Sequence, residues 1–394
     1  MHKLEFALFL TIVGGSAVAQ TAPYPVGVRD SDIANVTSVG STNLRSRVHY
    51  PATTAGTNAP ILARQGGWPV FVFLHGFGAL GSFYPDLGNA LAAQGIVAVM
   101  SETAWVNNDT QRNDGLALFP SLVAENTKSG GFFAGALDMQ RCAVGGHSMG
   151  GGNTLRVLAQ NPGYKGGIAF APVAQAASAM SVKTPFVIVH GEGDSIVPWL
   201  ANAQVNYDAL TGYTQFKSLY LMNSECTHTN LVFRGTGSNA VFDRTLRVTL
   251  GFLAHLLLET PAGLEDVLGD DARTEPRLTS LSVEVEAPLH WQVGSGKLGT
   301  TQALRVAGEP AVAALFYAGK RASTATAFGT LLLDPASLAF LAAGPVDAKR
   351  LYVFDLVIPN DASLNGARFP FQGLGLGRGQ ALRLSNAVDL EVVR

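Results

Sequence analysis

The segment "RCAVGGHSMGGGNTLRVL", Arg141 to Leu158, restricts the fold of this chain more than any other. A short apolar run, Cys142–Gly145, meets Gly146-His147-Ser148-Met149-Gly150 and passes at once into a helical pattern. Strand, sharp turn and helix with no intervening loop is the setting of a G-x-S-x-G elbow. So tight a turn leaves no room for side chains two positions before and after the serine, which accounts for Gly146 and Gly150. Ser148 then stands above the carboxyl ends of the strands, at the amino end of a helix whose dipole favours developing negative charge.

The surrounding sequence supplies the sheet that such an elbow needs. From about Ser38 to Glu259, short apolar runs alternate with amphipathic stretches, the rhythm of a mostly parallel α/β sheet. Strands are predicted near Arg45–Tyr50, Val70–Leu74, Ile96–Met100, Cys142–Gly145, Gly167–Ala171, Phe186–His190 and Lys217–Met222. Helices are predicted near Phe83–Gln94, Met149–Gln160, Leu200–Leu210 and Ala240–Leu258, with Pro162 ending the second. Acidic residues, glycines and prolines between Glu259 and Leu278 read as a linker over residues 261–275. Beyond it, Leu281, Val283 and Val285, and later Val388, Leu390 and Val392, alternate with polar residues. Period-two alternation predicts a small β-sandwich-like domain over residues 276–394, after an α/β domain over residues 20–260.

The amino terminus, "MHKLEFALFLTIVGGSAVAQ", has Lys3, an apolar run near Phe6 to Val13, and Ala17-Val18-Ala19. It reads as a signal peptide over residues 1–19, so the expectation is a secreted monomer with no integral membrane segment. Only 14% of the 394 residues are charged and the net charge is −2, which excludes the basic field of a nucleic-acid binder.

A serine hydroxyl needs a base to take its proton, and the base needs an acid to orient it. Behind a G-x-S-x-G elbow these follow in the order serine, acid, histidine, each after a later strand. "TPFVIVHGEGDSIVPW" places Asp194 in the turn after one strand, with Glu192 as rival, and "FKSLYLMNSECTHTN" places His228 after the next, with Glu225 as a weaker rival acid. An oxyanion would be met by the backbone N–H of Met149 and by that of Phe77 in "LHGFG", with Gly78 second. No metal or cofactor is called for.

"GGHSMGGGNTLRVLAQNP", "HGEGDSIVP", "ECTH" and "LHGFG" together resemble the cutinase-like polyester hydrolases, the PET hydrolase group of the α/β-hydrolase superfamily. The resemblance covers roughly residues 35 to 260. It implies an ester substrate, an insoluble polyester among the options, with Ser148, Asp194 and His228 as the triad. It also implies Phe77 and Met149 as oxyanion donors, and Phe77, Met149 and Ile196 as groove walls. Two departures follow. The tryptophan expected after the family's sixth strand is replaced by "APVAQAASAM", which favours flexible aliphatic acyl groups. The disulfide that ties the acid loop to the histidine loop in some members has no partner for Cys226 near Asp194.

The remaining cysteine does not replace that partner. Six residues of strand put Cys142 about 20 Å below Ser148, whereas disulfide Cα atoms lie within about 7 Å. Both are expected as buried free thiols. An esterase of small or lipid esters is the alternative function; a peptidase or a non-catalytic binding protein on this fold ranks lower.

Overall fold

A computed structural model describes residues 23–394, so the leader lies outside the described residues. The first strands are β1 (Val26–Ala34), β2 (Asn43–Pro51), the two-residue β3 (Gly56–Thr57) and β4 (Trp68–Leu74). Helix α1 (Pro85–Ala93), β5 (Val97–Ser101), α2 (Asn108–Thr127), β6 (Leu137–His147), α3 (Met149–Leu158), β7 (Gly167–Phe170) and the short α4 (Ala176–Ala179) follow. Then come β8 (Phe186–Gly191), α5 (Val205–Ala209), β9 (Phe216–Met222), α6 (Asn239–Leu257), α7 (Asp270–Arg273) and β10 (Leu278–Val285). Strands β1 to β10 form one ten-stranded sheet of order β10-β9-β8-β7-β6-β4-β5-β2-β1-β3, parallel from β9 through β5. This is the α/β-hydrolase architecture.

Both faces of the sheet are covered, which is why its central strands read as unbroken apolar runs. Along β4, Val70, Val72 and Leu74 pack with α2 and α3 on one face. Phe71 and Phe73 pack with α1 and α6 on the other.

Helix α2 lies in a stretch for which the sequence predicted no element. Its buried face carries polar groups, so apolar periodicity is lost. Gln111 donates to the His75 carbonyl at 2.9 Å and accepts from Asn153 at 2.9 Å, while Asp114 accepts from the Thr103 hydroxyl at 2.6 Å.

The expected linker is also corrected. Residues 261–275 fold into a 3-10 turn, Pro261–Asp266, and α7, and bury Leu264, Val267, Leu268 and Ala272 in the core of the large sheet. The alternating stretch after it forms β10, which pairs antiparallel with β9 rather than founding a new sheet. Period-two alternation reports a half-buried edge strand, and it does not say which sheet that edge completes.

The separate antiparallel sheets begin at β11 (Leu289–Val293) and continue through β12 (Thr301–Ala307), β13 (Val312–Tyr317), β14 (Arg321–Thr326) and β15 (Gly329–Leu333). The last strands are β16 (Ala339–Pro345), β17 (Leu351–Val357), β18 (Arg368–Gly377) and β19 (Ala381–Glu391). Orders β11-β12-β17 and β16-β13-β18-β19 share a core of Leu304, Val306, Leu315, Phe371 and Leu390, and β14-β15 form a hairpin. The β region is joined to the rest by Trp291, fully buried with Leu264 and Val285, whose indole N–H donates to Glu265 at 2.9 Å. Arg305 also pairs with Glu265, at 2.7 Å.

Candidate active site

The elbow at Ser148 follows from local sterics. Ser148 sits at φ 57° and ψ −114°, a conformation that strains any residue with a side chain. A Cβ at Gly146 would stand 2.4 Å from the Gly150 carbonyl carbon and oxygen, and one at Gly150 would stand 2.0 Å from the Leu74 carbonyl oxygen. Only glycines at both positions let β6 turn into α3 so abruptly.

Asp194 and His228 are brought together from loops 34 residues apart: Asp194 Oδ2 accepts from His228 Nδ1 at 2.7 Å. The other carboxylate oxygen accepts from the backbone N–H of Ile196 at 2.9 Å and of Val197 at 2.8 Å. Burial alone would raise the Asp194 carboxyl, but these hydrogen bonds hold it below the usual carboxylate range. The rival acids point elsewhere. Glu192 accepts from the Thr279 hydroxyl at 2.9 Å, and Glu225 pairs with Arg277 at 3.1 Å.

No covalent link ties the two loops, and both cysteines are free and buried. Close backbone packing does that work. A Cβ at Gly191 would stand 2.1 Å from the Cys226 carbonyl oxygen. The N–H of Glu192 donates to the Met222 carbonyl at 2.9 Å.

A second histidine, His190, faces the acid with Nε2 3.9 Å from Asp194 Oδ2. Burial lowers its pKa, and its Nδ1 lies 2.9 Å from the Gly191 N and 3.2 Å from the Gly191 carbonyl oxygen.

His147, beside the serine, links three loops. Its Nε2 donates to the His228 carbonyl at 2.9 Å, and its Nδ1 accepts from the Tyr84 hydroxyl at 3.0 Å. Tyr84 in turn accepts from the Gly76 N–H at 3.0 Å. These partners fix the His147 tautomer, and burial, with the neighbouring His228 ring adding to it, pushes its pKa down to about 3. Sequence reasoning missed Tyr84, because a tyrosine in "SFYPDL" has no local signature.

The two proposed oxyanion donors are free. Among the described residues neither the Phe77 nor the Met149 N–H bonds within the protein. Phe77 is 68% exposed and Ile196 68% exposed, whereas Met149 is only 6% exposed. The two former side chains form rim surface; Met149 offers mainly its backbone. A carboxylate-oriented imidazole, whose backbone is held by the residue next to a strained serine, and two N–H groups left without protein partners are the parts that nucleophilic acyl transfer requires.

The family model described as PET hydrolase-like matches residues 15–240. The bis(hydroxyethyl) terephthalate hydrolase of Streptomyces coelicolor is 28% identical over 202 residues, 51% of this chain and 60% of its own. Cutinase 2 of Thermobifida cellulosilytica is 32% identical over 144 residues, 36% of this chain and 53% of its own. Cutinase cut1 of Thermobifida fusca is likewise 32% identical over 144 residues, covering 44% of its length. The chain thus spans about half the length of these curated relatives.

Proposed function

The chain belongs to the PET hydrolase-like family, and from that premise we propose that it is an exported serine carboxylic-ester hydrolase working through an acyl-enzyme. Ser148 attacks the ester carbonyl while His228 takes its proton. The oxyanion is received by the N–H groups of Phe77 and Met149. His228 then protonates the leaving alcohol, and a water activated by the same imidazole releases the acid. Asp194 holds the imidazole in the tautomer that leaves Nε2 free to accept.

The observation that carries this reading is the Asp194–His228 hydrogen bond of 2.7 Å, whose histidine is anchored to the residue next to Ser148. Export rests on the leader, residues 1–19. Acyl groups of polyester type fit an open rim of Phe77 and Ile196. The catalytic unit is assigned to the residues through Val285, with the β sandwich after them as a separate module.

Ser148→Ala tests the proposal. Loss of ester turnover on the order of a million-fold is expected, along with loss of labelling by a serine-directed phosphonate. Substantial labelling or turnover in the variant would overturn the assignment.

A further inference from the structure

We infer that the β module holds a second binding site, a cavity between its two sheets that takes an aliphatic alcohol with the alkyl chain inward and the hydroxyl at Asp361. Every residue that lines the cavity follows Val285, so the inference stands apart from the triad.

The cavity measures about 610 Å³, within the roughly 300–1,000 Å³ of sites that enclose small organic ligands. Both sheets contribute to it. Leu356 and Val357 come from β17, the edge strand of its sheet, and Leu341 comes from β16, the edge of the other. Phe369 and Phe371 of β18, and Leu390 and Val392 at and just past the end of β19, are each two residues apart, so each pair faces one side, into the sandwich.

The chain crosses from β17 to β18 over this space. The crossover is pinned at both ends: the Ile358 N–H donates to the Thr300 carbonyl at 2.9 Å, and the Gly366 N–H to the Val392 carbonyl at 2.7 Å. Between the pins, Pro359, Asp361 and Ser363 are exposed at the mouth, while Leu364 is half-buried against the core. Backbone hydrogen bonds therefore frame the site before any ligand arrives.

A void of this size is out of keeping with a protein interior, where few gaps exceed a water molecule and an unfilled wall forfeits dispersion contacts. Leu341, Leu356, Leu364 and Phe369 pack against the core of the β module yet stay half-buried, because one side of each faces the cavity. An alkyl chain supplies the missing contacts. The mouth sets the head group. The Asp361 carboxylate accepts from the Ser363 N–H at 2.9 Å, which holds it below the usual carboxylate range, and among the described residues no cation pairs with it. An ionised carboxylate at the rim accepts from a hydroxyl and repels a fatty-acid anion.

The test titrates the full chain with 1-hexanol, 1-octanol, 1-decanol and decanoate by calorimetry. A single site is expected, with Kd falling about fourfold per added methylene and decanol binding about fivefold tighter than decanoate. Asp361→Asn should close the gap between decanol and decanoate. Leu364→Trp, which fills the cavity, should abolish decanol binding with the melting temperature kept or raised. Crystals soaked with 10-bromo-1-decanol should place the bromine between β17 and β18. If Leu364→Trp does not fold, Asp361→Asn and the bromine position decide. Undiminished decanol binding by a folded Leu364→Trp, a decanol-to-decanoate ratio unchanged in Asp361→Asn, or bromine at the Ser148 rim would each overturn the site. Absence of decanol binding would overturn it as well, and a dimer in sedimentation would then give the space to a second copy.

Discussion

The His147 side chain donates a hydrogen bond to the backbone carbonyl of His228 at 2.9 Å, so the residue next to Ser148 holds the loop that carries His228. The same imidazole accepts from Tyr84, which accepts from Gly76 in the loop that offers the Phe77 N–H. The segments carrying Ser148, His228 and the Phe77 N–H, the proposed nucleophile, base and oxyanion donor, are therefore registered by one chain of hydrogen bonds through a fully buried Tyr84.

Tyr84→Phe removes the middle of that chain and leaves the Gly76 N–H and His147 Nδ1 unpaired in the interior. A stability loss of about 1–3 kcal/mol is expected, with a fall in kcat on p-nitrophenyl acetate exceeding the change in KM. Thermal denaturation and steady-state kinetics check it. Wild-type values in both would show that Tyr84 only fills space.

Asp194→Asn should cost about four orders of magnitude in kcat, because the amide favours the wrong His228 tautomer. Glu192→Gln should be mild, since that carboxylate is occupied by Thr279. Measured at matched folding, the opposite ranking would transfer the orienting role to Glu192.

Acid should destabilise the fold before it reaches the usual carboxylate range. Burial pushes His147 down to about 3 and His255 and His290 to about 4. Unfolded histidines take up protons near pH 6.5. Between that value and about 4, therefore, the unfolded chain binds more protons and stability falls as pH falls. The slope reaches up to roughly 4 kcal/mol per pH unit for three such groups, and these groups contribute no slope above the unfolded value. Asp194 acts in the same direction: its depressed carboxyl contributes stability that is lost as pH falls through its folded value. Urea denaturation at about pH 7.5 and pH 5 measures the slope, which His290→Gln should reduce by about 1.4 kcal/mol per unit. A flat profile would mean these rings protonate without unfolding.

A chain cut after Thr260 should fail to fold, contrary to a catalytic unit ending there. The cut removes Leu264, Val267, Leu268 and Ala272 from the core and strips β10 from β9. A chain ending just after Val285 keeps these but opens the socket filled by Trp291, a loss of at least about 3–5 kcal/mol. It should turn over soluble esters at reduced melting temperature. Comparable soluble yield and turnover from the Thr260 cut would show that the turn and α7 are dispensable.

The elbow and the strands around it were legible in the sequence to the extent that they are local. The elbow is a clash rule acting over five residues, so Gly146, Ser148 and Gly150 declare it without any knowledge of the fold. The central strands, with both faces covered, declare themselves as apolar runs. The order of Asp194 and His228 after successive strands followed from the elbow once a parallel sheet was inferred.

What the tertiary structure decided are the pairings between distant segments. Whether "LTSLSVEV" completes the large sheet or begins the small ones depends on β9, whose Phe216–Met222 backbone offers an open edge 56 to 69 residues earlier in the chain. Helix α2 hides because Gln111 and Asp114 find buried partners, and burial of satisfied polar groups leaves no hydrophobic period to read. Tyr84 carries no motif; it gains its place from its contact with Gly76 in the loop after β4, and such contacts exist only once the sheet has set β4, β5 and β6 side by side.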